Sequence, residues 1–144
     1  MTHTFFEKNS NYIVAENFDI DQFIVEVSYA PDSTQLELVF DPDAGYWDEL
    51  IEKLDSGEWE HFILKVTAYY DGNEMASEYL GSIVAPDPVD WIREDEDGQI
   101  DEMVRSVVDE ARNEAVRMLE RLKTDFLGTA IYKDVDRETL AQEA

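Results

Sequence analysis

From Gln22 onward apolar and polar residues alternate. Phe23, Val25, Val27 and Tyr29 share one face, and Glu26 and Ser28 occupy the other. A period of two is that of a strand with one buried face. Ala30–Pro31–Asp32–Ser33 has the composition of a turn. The next stretch, Gln35–Phe40, sets Leu36, Leu38 and Phe40 on a common side. The pattern predicts a first hairpin from these two strands, with a loop of about four or five residues. Residues 1–20 show no such period and are read as an N-terminal segment that runs into the acidic stretch around Asp19 and Asp21.

Asp41–Pro42–Asp43–Ala44–Gly45 then breaks the strand. Trp47, Leu50, Ile51 and Leu54 follow at helical spacing and predict a short helix over 44–55, with Asp43 as its N-cap and Ser56–Gly57 as its end. Glu58–Tyr70 reads as the longest strand, with Phe62, Leu64, Val66 and Ala68 on one face. Asp71–Gly72 predicts a tight hairpin, because both residue types accept positive φ. The return strand covers about Glu74–Val84, and Gly81 marks a bulge or a close backbone approach.

Ala85–Pro86–Asp87–Pro88 ends the second hairpin, and residues 85–98 are expected to form an acidic loop anchored by Trp91 and Ile92. From Gln99 a stripe of Met103, Val104, Val107, Val108, Ala111, Ala115, Met118, Leu119 and Leu122 predicts a long amphipathic helix over 99–127. Residues 128–144 are read as a tail, with a short strand at Ala130–Tyr132 and a last helical turn capped by Asp136. The order β-β-α-β-β-α predicts an α+β fold. An antiparallel sheet of about four strands is packed by the long helix in two layers, as a single domain over 1–144.

Charge sharpens this picture. The chain carries 35 acids, 11 bases and a formal charge of −24. Residues 1–102 hold 26 of the acids and four bases, whereas residues 103–144 hold nine acids and seven bases. At 44% hydrophobic and 12% aromatic the chain is too apolar for a disordered acidic tail. Such a surface repels nucleic acid and anionic membranes and attracts basic surfaces, above all those of nucleic-acid-binding proteins. Adaptation to high salt would acidify every exposed element, and the balanced long helix argues against it. Cysteine is absent, which excludes disulfides, thiolate metal sites and a cysteine nucleophile. No signal peptide or stretch of about 18 apolar residues is present, so the expected compartment is the cytoplasm.

Little in the sequence points to catalysis, and no enzymatic activity, cofactor or metal is expected. His3 and His61 are the only histidines; a single strand histidine is more often structural than a general base. No nucleophile elbow, phosphate-binding loop or zinc-protease motif occurs. Asp95–Glu96–Asp97–Gly98 resembles part of a calcium loop, but Arg93 stands where an acidic ligand is needed and no helix is expected before it. Trp59, Tyr69, Tyr70 and Tyr79 are read as sheet packing, since base-stacking platforms also supply a cationic groove and this sheet offers only Lys65.

The acids themselves are the candidate site. Carboxylates three or four apart on a helix lie about 5–6 Å apart, and those on alternate strand residues about 6.5–7 Å. Both distances approximate the interval between successive phosphates of a nucleic acid strand. The candidate face comprises Asp48, Glu49, Glu52 and Asp55 on the short helix, Glu58 and Glu60 at the strand start, and Asp87, Asp90, Glu94, Asp95, Glu96, Asp97, Asp101 and Glu102 in the loop and the start of the long helix.

The stretches Ser56–Gly57–Glu58–Trp59–Glu60–His61–Phe62, Val66–Thr67–Ala68–Tyr69–Tyr70–Asp71–Gly72 and Ala76–Ser77–Glu78–Tyr79–Leu80–Gly81 resemble a pattern in small uncharacterised plasmid and phage proteins. The overall acidity resembles that of anti-restriction and anti-CRISPR proteins that imitate DNA, a likeness of class that carries over no individual residue. It implies an inhibitor whose partner is a basic nucleic-acid-binding protein of the host. The alternative is an acidic protein-interaction module or homodimer, joined through the long helix or a sheet edge, whose charge serves solubility.

Overall fold

The computed structural model describes residues 11–127. They form strands β1 (Ile13–Ile20) and β2 (Phe23–Pro31), helix α1 (Trp47–Ser56), strands β3 (Glu60–Tyr70) and β4 (Asn73–Ala85), and helices α2 (Pro88–Glu94) and α3 (Gln99–Leu122). The strands make one antiparallel sheet in the order β1-β2-β3-β4. Helix α3 lies against it, chiefly on β3 and β4. The fold is therefore α+β in two layers.

The alternating strand residues explain the core. Val25, Val27, Leu64, Val66 and Ala68 are fully buried, and Phe62 nearly so. They join one apolar cluster with Ile100, Val104, Val107, Val108 and Ala111 of α3. Thr67, on the opposite side of β3, is also buried and receives the Ser77 hydroxyl at 3.2 Å from the neighbouring strand.

Both predicted features of the second hairpin are present. Asp71 and Gly72 have φ of 49° and 79°, and the turn follows directly from Tyr70↔Asn73 pairing. The register shifts between Phe62↔Ile83 and Leu64↔Leu80, which leaves an extra β4 residue at Gly81–Ser82. Asp32 Oδ2 sits 3.4 Å from where a Cβ on Gly81 would lie, so the bulge and the close approach occur together.

The first hairpin differs from its expectation. β2 pairs with β1, within the segment that the sequence left without an element, through a two-residue turn at Asp21–Gln22. Residues 35–40 form no strand. Leu36–Leu38 is a single 3-10 turn, and Leu38 is 75% exposed. The alternation there was too short to find a partner. β1 lacked a clean pattern because it is an edge strand whose residues are all exposed or half-buried.

Three further boundaries move. Helix α1 begins after Tyr46, so Asp43 is not its N-cap; Asp41 instead receives the Asp43 N–H at 2.9 Å in the preceding turn. The expected loop 85–98 contains α2, with Asp87 accepting the Val89 and Asp90 N–H groups and Pro88 in its first turn, both favourable helix starts. Trp91 and Ile92 do anchor it: Ile92 is 2% exposed, and Trp91 meets Phe62 edge-on at 5.8 Å. Helix α3 begins at Gln99 as expected but gives way to a π-helical turn over Lys123–Leu127. The tail with Ala130–Tyr132 and Asp136 lies outside the described residues. Among the described residues, no helix is long and apolar enough to cross a membrane.

Candidate acidic interaction face

Of the fourteen candidate carboxylates, all but Asp95 are exposed, and Asp95 is half-buried. The fold assembles them in two groups. Helix α1 is tied to the start of β3 by the Trp59 N–H bonding to the Lys53 carbonyl at 3.1 Å and by the Lys53–Glu58 ion pair at 2.6 Å. Glu60 at the start of β3 pairs with Ala85 at the end of β4, two residues before Asp87. Asp48, Glu49, Glu52, Asp55, Glu58, Glu60, Asp87 and Asp90 thus gather at one end of the sheet.

Helix α2 then carries the chain back across the sheet. Arg93 Nε donates to Glu16 on β1 at 2.9 Å, at the edge opposite β4. The lone base of the acidic run therefore faces the edge strand. Glu94, Asp95, Glu96, Asp97, Asp101 and Glu102 follow on the β1 side. Three strand spacings separate the two edges, roughly 14 Å.

Several of these carboxylates have a structural task. Asp87 caps α2. Asp95 caps α3 across the intervening turn, its two oxygens accepting the Ile100 and Asp101 N–H groups at 2.9 and 3.0 Å. Asp101 pairs with Arg105 at 3.0 Å. Lys53 and Arg105 are the two bases set against the face. Hydrogen bonding to Glu58 raises the pKa of Lys53 and keeps it charged.

The Asp95–Gly98 turn does have a helix before it, α2, contrary to expectation. However, the caps occupy Asp95, and among the described residues no group of three His, Asp or Glu side chains is placed to hold a metal ion.

A buried polar pair lies away from this face, and sequence reasoning missed half of it. His61 Nε2 is 3.6 Å from Asp32 Oδ2, and both side chains are about nine-tenths buried, at 11% and 6% exposed. Burial works to raise the Asp32 pKa, but hydrogen bonds from Thr34 and Ser82 and the facing His61 outweigh it and hold the carboxyl below its ordinary range. An open hollow beside the pair is lined by Asp32, Tyr12, Thr34 and Ile63 but not by His61. Asp32 thus borders the hollow, while His61 Nε2 is buried behind it without a hydrogen-bond partner among the described residues.

Lys65 sits between the Tyr12 and Tyr79 rings, 5.7 and 5.6 Å from their centroids, and pairs with Glu74 at 3.3 Å. Burial tends to lower its pKa, and Glu74 and Tyr79 reverse that, so it remains an engaged cation. Of the expected aromatic group, only Tyr79 takes part. Tyr69 is buried, and Tyr70 packs edge-on against Phe23.

Comparison with known proteins yields no match: no protein-family model, curated protein or solved structure matches the chain.

Proposed function

We propose that the protein is a non-enzymatic inhibitor that imitates DNA and occupies the DNA-binding surface of a host defence protein, such as a CRISPR effector or a restriction enzyme. The observation that carries this reading is the placement of the acids. Exposed carboxylates run from α1 and the start of β3 to the turn before α3, with two bases set against them. Within each group, neighbouring carboxylates at the ~5–7 Å of one helical turn or of alternate strand positions approximate the interval between successive phosphates of a strand. Glu60 is fixed by strand pairing and Asp87 and Asp95 by helix capping, so a basic groove meets these charges already ordered. Association is then fast and strongly weakened by salt.

The test is competition for the target at low salt. The chain displaces DNA at ~0.1 M salt and progressively less as the Debye length shrinks. Reversing Asp48, Glu49 and Glu52 to Lys, or Glu94, Glu96 and Asp97 to Lys, abolishes displacement. Inhibition that survives both triple reversals rules the mimic out. Asp87 and Asp95 are left unchanged in these variants because they cap helices.

A further inference from the structure

The stripe that seats α3 on the sheet does not stop where the sheet does. Its core residues end at Ala111. The same face continues through Ala115, Met118, Leu119, Leu122 and Phe126, since these follow Ala111 at helical spacing. Met118, Leu119, Leu122 and Phe126 are 39%, 53%, 50% and 77% exposed. Large apolar side chains clustered on one exposed helical face mark an interaction surface.

Charge selects the occupant. Residues 103–127 carry five acids and five bases, while residues 1–102 carry 26 and four. On the projecting half the bases are engaged along the helix itself: Arg117 with Glu110 and Glu114 at 2.8 Å, and Arg121 with Glu114 at 3.5 Å. A basic partner gains nothing from this neutral surface and is drawn to the acidic body instead. A second copy of the chain, repelled by that body, meets no repulsion here.

We infer that the projecting half of α3 is the interface of an antiparallel homodimer. The two helices pack tail over tail through Met118, Leu119, Leu122 and Phe126. This direction sets the two acidic bodies at opposite ends of the pair, whereas a parallel pair would bring them side by side. It also opposes the two helix dipoles favourably. The dimer presents two separated acidic faces, and its existence does not rest on what those faces bind.

Sedimentation equilibrium of the full chain tests this. The expected mass is twice 16.7 kDa at high micromolar concentration. The double variant Leu119→Glu/Leu122→Glu sediments as a monomer with unchanged far-UV circular dichroism. Raising salt from ~0.05 to ~0.5 M tightens the dimer by screening the acidic bodies, the opposite sign to competition with DNA, so the two readings fail separately. The chain has no cysteine of its own, which allows the direction to be read by cross-linking. Ala115→Cys forms a disulfide with Phe126→Cys in a mixed sample but not with itself. A monomer at every concentration, a double variant that still dimerises, or an Ala115→Cys chain that cross-links to itself overturns the proposal.

Discussion

The Asp32 carboxylate accepts the backbone N–H of Ser82 at 2.7 Å, joining positions fifty residues apart. Ser82 is the bulge residue of β4 and holds a left-handed φ of 56°, a conformation that costs a non-glycine residue about 1 kcal/mol. Asp32 also receives the Thr34 N–H at 2.9 Å, so a single side chain fixes both the exit from β2 and the bulge. Asp32→Ala takes the acceptor from the part-buried Ser82 N–H and is expected to cost about 1–3 kcal/mol in urea unfolding.

The same carboxyl imposes a pH dependence. Its pKa is lowered in the folded protein. Its stabilisation is therefore complete above the unfolded value of about 4 and is lost as the pH falls through the lower folded value. Stability curves of the parent and Asp32→Ala are expected to run apart at pH 7 and converge in strong acid. Curves that stay parallel down to pH ~2 would refute the assignment.

Neighbouring acids in the 95–97 turn differ in consequence. Asp95 caps α3 through two backbone N–H groups, and Asp95→Ala is expected to cost about 1–2 kcal/mol. Glu96→Ala, at an exposed position, is expected to stay within about 0.5 kcal/mol. Thermal melts of the two variants separate a structural carboxylate from one available to a partner.

Along α3 the cost of truncation divides at Ala111. Val107 is completely buried, and Val107→Ala is expected to lose about 2 kcal/mol through the cavity it leaves. Val116 is 60% exposed, and Val116→Ala is expected to change stability by less than about 0.5 kcal/mol. Chemical denaturation at low protein concentration makes the comparison.

Salt is expected to raise thermal stability. A formal charge of −24 repels itself within a compact body, and screening relieves that repulsion. Between ~0.02 and ~0.5 M sodium chloride the melting temperature should rise by several degrees, because about 1 kcal/mol moves a domain of this size by ~3 °C. A melting temperature that falls with salt would mean that attractive ion pairs, not repulsion, dominate the surface.

The sequence disclosed what burial enforces. The one-face pattern of Phe62, Leu64, Val66 and Ala68, the Asp71–Gly72 turn and the α3 stripe each follow from a core that must exclude water. β1 was hidden because an edge strand faces solvent on much of its surface and no period is imposed on it. Helix α2 was hidden because its seven residues are too few to show a helical period, although its anchors Trp91 and Ile92 were legible and Asp87–Pro88 is a recognisable helix start. The candidate acids were visible as composition, but their separation into two groups depends on α2 crossing the sheet, as the Arg93–Glu16 pair records. The turn made by Asp32 with Thr34 is local and readable; its bond to Ser82 is not, because only the finished sheet brings the two together.

Residues 32–59, which carry α1, leave the sheet at the end of β2 and return at the start of β3, two strands that are already direct neighbours. Leu50 is buried, yet it stands outside the main apolar cluster. The segment is thus an appendage spliced between adjacent strands, and the entropic cost of closing such a loop grows only slowly with its length. Its acidic helix can be exchanged, lengthened or re-charged while the scaffold beneath continues to fold. The scaffold constrains the two ends of this segment, through the Asp32 bond to Ser82 and the Trp59 bond to Lys53, and leaves the charge of the helix between them open.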